Sequence, residues 1–168
     1  MKKDMIVYIG NDHGGFSLKG ILVKRMEELG IQCVDVGCSS TDIVRYPYYA
    51  AQVALAVSEG KANRGILICS TGIGMSIEAN RFRRVRASLC TDTYMAKMTR
   101  RHNNSNLLCL GGKITGELLA VDILETWLHE EYEGGRHEIS LGLIAESEKV
   151  LFRESLPVFD KLFPGERK

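Results

Sequence analysis

Five short apolar runs alternate along this chain with amphipathic stretches, and no other feature limits the possible folds as tightly. Met5–Gly10 (MIVYIG), Gln32–Val36, Arg64–Cys69 (RGILIC), Arg86–Cys90 (RASLC) and Asn106–Leu110 (NLLCL) read as strands, being brief and rich in large aliphatic and β-branched residues. Between them, Phe16–Leu29 sets Leu18, Ile21, Leu22, Met26 and Leu29 on one helical face before Gly30 stops it. Pro47–Ser58 begins with a proline suited to a first helical turn. Further helices are expected near Met75–Asn80, over Tyr94–Arg101 and over Thr115–Glu130, with Gly134-Gly135 breaking the last.

Strand–helix alternation of this kind predicts an α/β fold: a three-layer, doubly wound, five-stranded parallel sheet of the Rossmann-like type. The expected strand order is 2-1-3-4-5. In that order strands one and three lie side by side and their following loops diverge, so a ligand crevice should open beyond their carboxyl ends. Residues 1–138 form this domain. Residues 139–168 are expected as a C-terminal helical extension anchored by Leu151, Leu156, Phe159 and Phe163, either within the same domain or at a dimer interface.

The two loops so singled out are the ones that carry chemistry. Strand one runs into Asn11-Asp12-His13-Gly14-Gly15, and strand three into Cys69-Ser70-Thr71-Gly72-Ile73-Gly74-Met75-Ser76. Glycines 72 and 74 let backbone amides turn toward one point, and the following helix aims its positive end there, a cradle for phosphate or an enediolate. Three familiar loop chemistries do not fit. A dinucleotide fingerprint needs glycine where Ile77 stands, a Walker loop needs Gly-Lys-Ser/Thr, and a cysteine phosphatase needs arginine where Met75 stands. What remains is a thiol at the mouth of an anion-holding loop. Thiols at helix N-termini ionise more readily than free ones, so Cys69 is a candidate general base; the alternative is a buried strand-end residue, as for Cys90 and Cys109. Asp12 admits two readings as well, a site carboxylate or a helix N-cap. His102 and Arg136, taken alone, read as surface residues.

The remaining totals exclude more than they assert. The chain has 168 residues with a formal net charge of +1, which gives no general attraction to nucleic acid or to a membrane surface. Arg81, Arg83, Arg84, Arg86, Arg100 and Arg101 are read as solvated surface. No apolar run approaches the roughly 18–20 residues of a membrane span, and the apolar stretch before Gly10 is too short for a signal peptide. Five cysteines without a CxxC pair suggest reduced thiols in the cytoplasm rather than a disulfide framework or a zinc site. No metal and no cofactor is expected.

Taken in order, Asn11-Asp12-His13-Gly14-Gly15-Phe16, Tyr46-Pro47, Gly65 through Ser76, Arg86-Ala87, Arg101-His102-Asn103 and Glu133-Gly134-Gly135-Arg136-His137 form a specific set. From about Ile6 to His137 the sequence resembles the type B ribose-5-phosphate isomerases, the family that includes galactose- and allose-6-phosphate isomerases. The resemblance implies aldose–ketose isomerisation of a sugar phosphate, ribose 5-phosphate first and a hexose 6-phosphate as alternative. It implies that Cys69 moves a proton between C2 and C1 and that the amides from Ser70 to Gly74, Gly72 included, hold the enediolate with help from Thr71. His102 would open the furanose ring with Asp12 beside the sugar hydroxyls. Asn103 would contact an enediolate oxygen, Tyr46 would line the pocket, and His13 and Arg136 would bind phosphate. Arg136 would come from the second subunit of a homodimer, with a tetramer as the larger alternative.

Against the family pattern, Ser70 replaces a common glycine, and Ser140 and Lys113 replace common arginines, which implies altered phosphate binding. Some members place a catalytic glutamate where Met75 stands, and Glu78 is read as solvated. Outside enzymology, the same fold would also suit a sugar-phosphate-sensing module, which binds without turnover.

Overall fold

The computed structural model describes residues 5–151. Five strands, β1 (Ile6–Asn11), β2 (Gln32–Asp35), β3 (Arg64–Cys69), β4 (Ala87–Leu89) and β5 (Leu107–Gly111), form one all-parallel sheet. Helices α1 (Phe16–Glu28), α2 (Tyr46–Ser58), α3 (Ile73–Ala79), α4 (Thr93–Asn103), α5 (Glu117–His129) and α6 (His137–Leu151) surround it.

Each central strand is apolar on both faces, because both are covered. Ile66 and Ile68 of β3 and Leu108 and Leu110 of β5 face Leu22, Met26, Ile123 and Trp127 of α1 and α5. Their neighbours Leu67, Cys69, Leu107 and Cys109 face Val53, Ala54, Met75 and Ala79 of α2 and α3. Strand alternation thus decides that Cys69 belongs to the α2–α3 side of the sheet. Trp127 is fully buried, and its indole N–H donates to Ser105 Oγ at 2.7 Å.

The expected order is corrected at one edge: the sheet runs β2-β1-β3-β5-β4. The reason lies in composition. All five residues of β5 are buried, whereas the three of β4 are half-buried. The NLLCL run, apolar after Asn106, takes the interior place beside β3, and RASLC, which opens on Arg86 and carries Ser88, takes the edge. The switch point between β1 and β3 is unaffected, since Asn11 pairs with Ile68 and both loops leave from the same end.

Helix α6 has no buried residue; Ile139, Leu143, Val150 and Leu151 are all exposed. Leu156, Phe159 and Phe163 lie outside the described residues.

Candidate active site

The loop after β1 is a short 3-10 turn at His13–Gly15. The Asp12 amide extends the sheet by donating to the Ile68 carbonyl at 3.1 Å, and Asp12 Oδ1 accepts from the Gly14 amide at 2.8 Å. The capping role is therefore real, and it also fixes the buried carboxylate at the pocket wall. His13 Nδ1 accepts from the Val44 amide at 3.4 Å, which leaves Nε2 to carry the proton of the neutral ring. Asp12, His13 and Tyr46 line a pocket of about 400 Å³ at the carboxyl end of the sheet, together with Ile43–Pro47, a volume suited to a small ligand.

The loop after β3 folds back over its own thiol. Gly72 adopts φ +76°, and its amide donates to Cys69 Sγ at 3.1 Å. The Ile73 amide donates to Thr71 Oγ1 at 3.3 Å. Two amides of the expected cradle are thus already engaged. Those of Ser70, Thr71 and Gly74 have no acceptor among the described residues. The two loops touch: a β-carbon at Gly14 would stand 2.2 Å from Ser70 Oγ, and one at Gly74 would stand 2.8 Å from Tyr46 Cζ. The serine that departs from the family pattern thus packs its hydroxyl against Gly14, and the Tyr46 ring closes over Gly74. Lys113 also stands here, its amide donating to the Ser70 carbonyl at 3.1 Å.

The other thiols do different work. Burial pushes Cys33 and Cys90 up to about 12, holds Cys109 well above the ordinary thiol range, and raises Cys38. All four keep their protons at neutral pH.

His102, Asn103 and Arg136 are not brought to this pocket. They lie at the amino end of the sheet, where α4 ends and β5 begins. Asn103 passes its carbonyl to Arg86 Nε at 3.0 Å, just before Ala87, and Ala87 and Gly65 both pair with Leu107. The length of β3, about 16 Å, separates that end from Cys69. Arg136 is exposed, two residues past Gly134, and Ser140 follows it on α6. His102 instead stacks on His137, with ring centroids 4.2 Å apart, and both face Glu133. The sequence reading gave no role to Glu133 or His137. The only signal available was their presence in the same Glu-Gly-Gly-Arg-His run as Arg136.

An open parallel sheet with a thiol, an amide-lined loop and a carboxylate-lined pocket at its switch point has the form of an α/β enzyme site, and the chain's relatives make it an aldose–ketose isomerase. The chain belongs to the ribose/galactose isomerase family, whose model matches residues 7–144. It is 46% identical over 138 residues to ribose-5-phosphate isomerase B of Escherichia coli, covering 82% of this chain and 91% of that protein. Among solved structures, ribose-5-phosphate isomerase B of Clostridium thermocellum superimposes with a TM-score of 0.86 at 44% identity, covering 88% of this chain and 100% of that one. The Mycoplasma genitalium ribose-5-phosphate isomerase B with bound ribulose-5-phosphate gives a TM-score of 0.84 at 32% identity, covering 87% and 97%.

Proposed function

We propose that the chain interconverts ribose 5-phosphate and ribulose 5-phosphate through an enediolate, with Cys69 as the base. The observation that carries this reading is the Gly72 amide held 3.1 Å from Cys69 Sγ at the head of a loop with further unengaged amides. A thiolate there removes the C2 proton of the open-chain aldose. The C–H electrons form the C1–C2 double bond, and the carbonyl electrons move to O1. The amides of Ser70, Thr71 and Gly74 and the Thr71 hydroxyl stabilise the enediolate oxygen. The thiol then returns the proton to C1 as O2 passes its own to O1, so that O2 becomes the ketone and O1 the hydroxyl. Asp12 and Tyr46 hold the sugar hydroxyls, and His13 Nε2 meets the phosphate.

Ring opening is assigned to His102, enediolate contact to Asn103 and a further phosphate contact to Arg136. All three stand at the far end of their own sheet. The reading therefore pairs two chains, so that each Cys69 works with His102, Asn103 and Arg136 of the partner subunit. The exposed apolar residues of α6 support association, since such side chains gain from being covered. Five free thiols support a reducing, cytoplasmic setting.

Turnover measured across ribose 5-phosphate, allose 6-phosphate and galactose 6-phosphate tests the substrate. The highest kcat/KM is expected with ribose 5-phosphate. A higher value with either hexose phosphate would move the assignment to that sugar, and binding without turnover of any would make the chain a sensing module.

A further inference from the structure

At the amino end of the sheet, three side chains meet that no local spacing in the sequence brings together. His102 Nε2 lies 3.9 Å from Glu133 Oε2, and His137 Nε2 lies 3.8 Å from the same oxygen. The two imidazoles stack with planes only 14° apart, and the donor atoms of all three residues fall within 4.8 Å of one another. The gaps are too long for hydrogen bonds, and neither ring has such a bond elsewhere among the described residues. The set is nonetheless built. The Glu133 amide donates to the Arg101 carbonyl at 3.0 Å, and Arg101 Nη1 lies 3.5 Å from Glu133 Oε1, which leaves Oε2 turned toward the two histidines. Gly134 and Gly135 then take φ +67° and +58°, which only glycine adopts at little cost, and the turn brings His137 back over Glu133.

We propose that His102, Glu133 and His137 bind a divalent cation of the zinc class. Two imidazoles and one carboxylate with an open fourth position are a zinc donor set, and nitrogen donors disfavour magnesium and calcium. Donors around tetrahedral zinc stand about 3.3 Å apart, so the two Glu133 edges close by roughly half an ångström while the imidazoles turn out of their stack to aim both nitrogens at the ion. The His102, Glu133 and His137 side chains are 36%, 47% and 18% exposed, which leaves the ion a path from solvent. The ion is an inhibitor rather than a cofactor, because it occupies the His102 nitrogen that ring opening requires. Only this inhibitory consequence rests on the isomerase reading.

Binding is measured with zinc chloride by calorimetry on full-length Cys69→Ala protein, which removes the loop thiol as a competing ligand. One ion per chain is expected, and adding Glu133→Gln or His137→Asn should each weaken it by at least ~10-fold, with circular dichroism confirming the fold. Affinity equal in all three proteins would overturn the site. With Cys69 intact, zinc should suppress turnover of ribose 5-phosphate, and His137→Asn should raise the inhibitory concentration by a similar factor. Zinc bound at the triad without loss of turnover would overturn the inhibition. Zinc-free protein that turns over no sugar phosphate would instead defeat the isomerase reading and leave the binding result standing.

Discussion

The Gly72 amide points at Cys69 Sγ from 3.1 Å, and it does so because Gly72 holds a left-handed backbone. An N–H so aimed interacts more strongly with a thiolate than with a neutral thiol. On the proposed reading, the loop conformation and the base are therefore one device.

Gly72→Ala should disable it. The φ of +76° penalises any β-carbon, and the new atom would stand 2.5 Å from Leu89 Cδ1 and 2.9 Å from the Leu110 carbonyl carbon. Destabilisation of about 1–3 kcal/mol is expected, read as a lower thermal midpoint. Turnover should fall further, by roughly 10²-fold, as the amide shifts away from sulfur. A stable variant with normal kcat would show that this amide does not matter to the base.

His102→Asn should separate ring opening from proton transfer. On ribose 5-phosphate, which closes to a furanose, kcat/KM should fall by roughly 10²-fold or more. On erythrose 4-phosphate, whose O4 carries the phosphate and cannot close a furanose, it should change little. Equal losses on both sugars would put His102 in the enediolate step.

Removal of divalent ions by chelation and gel filtration should leave turnover undiminished. In the proposed mechanism the amide loop supplies the anion stabilisation for which other isomerases recruit a Lewis acid. Among the described residues the one three-ligand cluster is His102, Glu133 and His137, at the opposite end of the chain's own sheet. Activity lost on chelation and restored by a divalent ion would contradict this mechanism.

Much of this was legible in the sequence, and the failures have physical causes. Loops after β1 and β3 were placed correctly because strand–helix alternation and handedness leave one switch point. The order of β4 and β5 was not, since RASLC and NLLCL differ in burial rather than in periodicity, and only packing ranks them. Asp12 reads as either cap or site ligand; it caps the turn at His13–Gly15 and also lines the pocket, and its contact with sugar hydroxyls is part of the proposal. His102 was grouped with Cys69 by resemblance alone. A helix joining two parallel strands must run back along the sheet, so the place of His102 at the amino end follows from the alternation; that Gly134-Gly135 turns His137 against it does not.

That separation makes assembly testable by mixing. Cys69→Ala and Arg136→Ala chains should each be inactive alone. In a mixed dimer one site carries both lesions and the other neither, so activity should return toward a quarter of the parent value at equal, randomised mixing. Verified subunit exchange with no recovered activity would mean that Arg136 serves its own chain.

The most direct measurement of the central claim is isomerisation of ribose 5-phosphate by Cys69→Ala protein, together with exchange of its C2 proton into deuterium oxide. Loss of a general base costs roughly 10²–10⁴-fold, so both rates should fall by that order while circular dichroism and the thermal midpoint stay near the parent's. Near-normal isomerisation and exchange in the folded variant would show that another residue takes the proton.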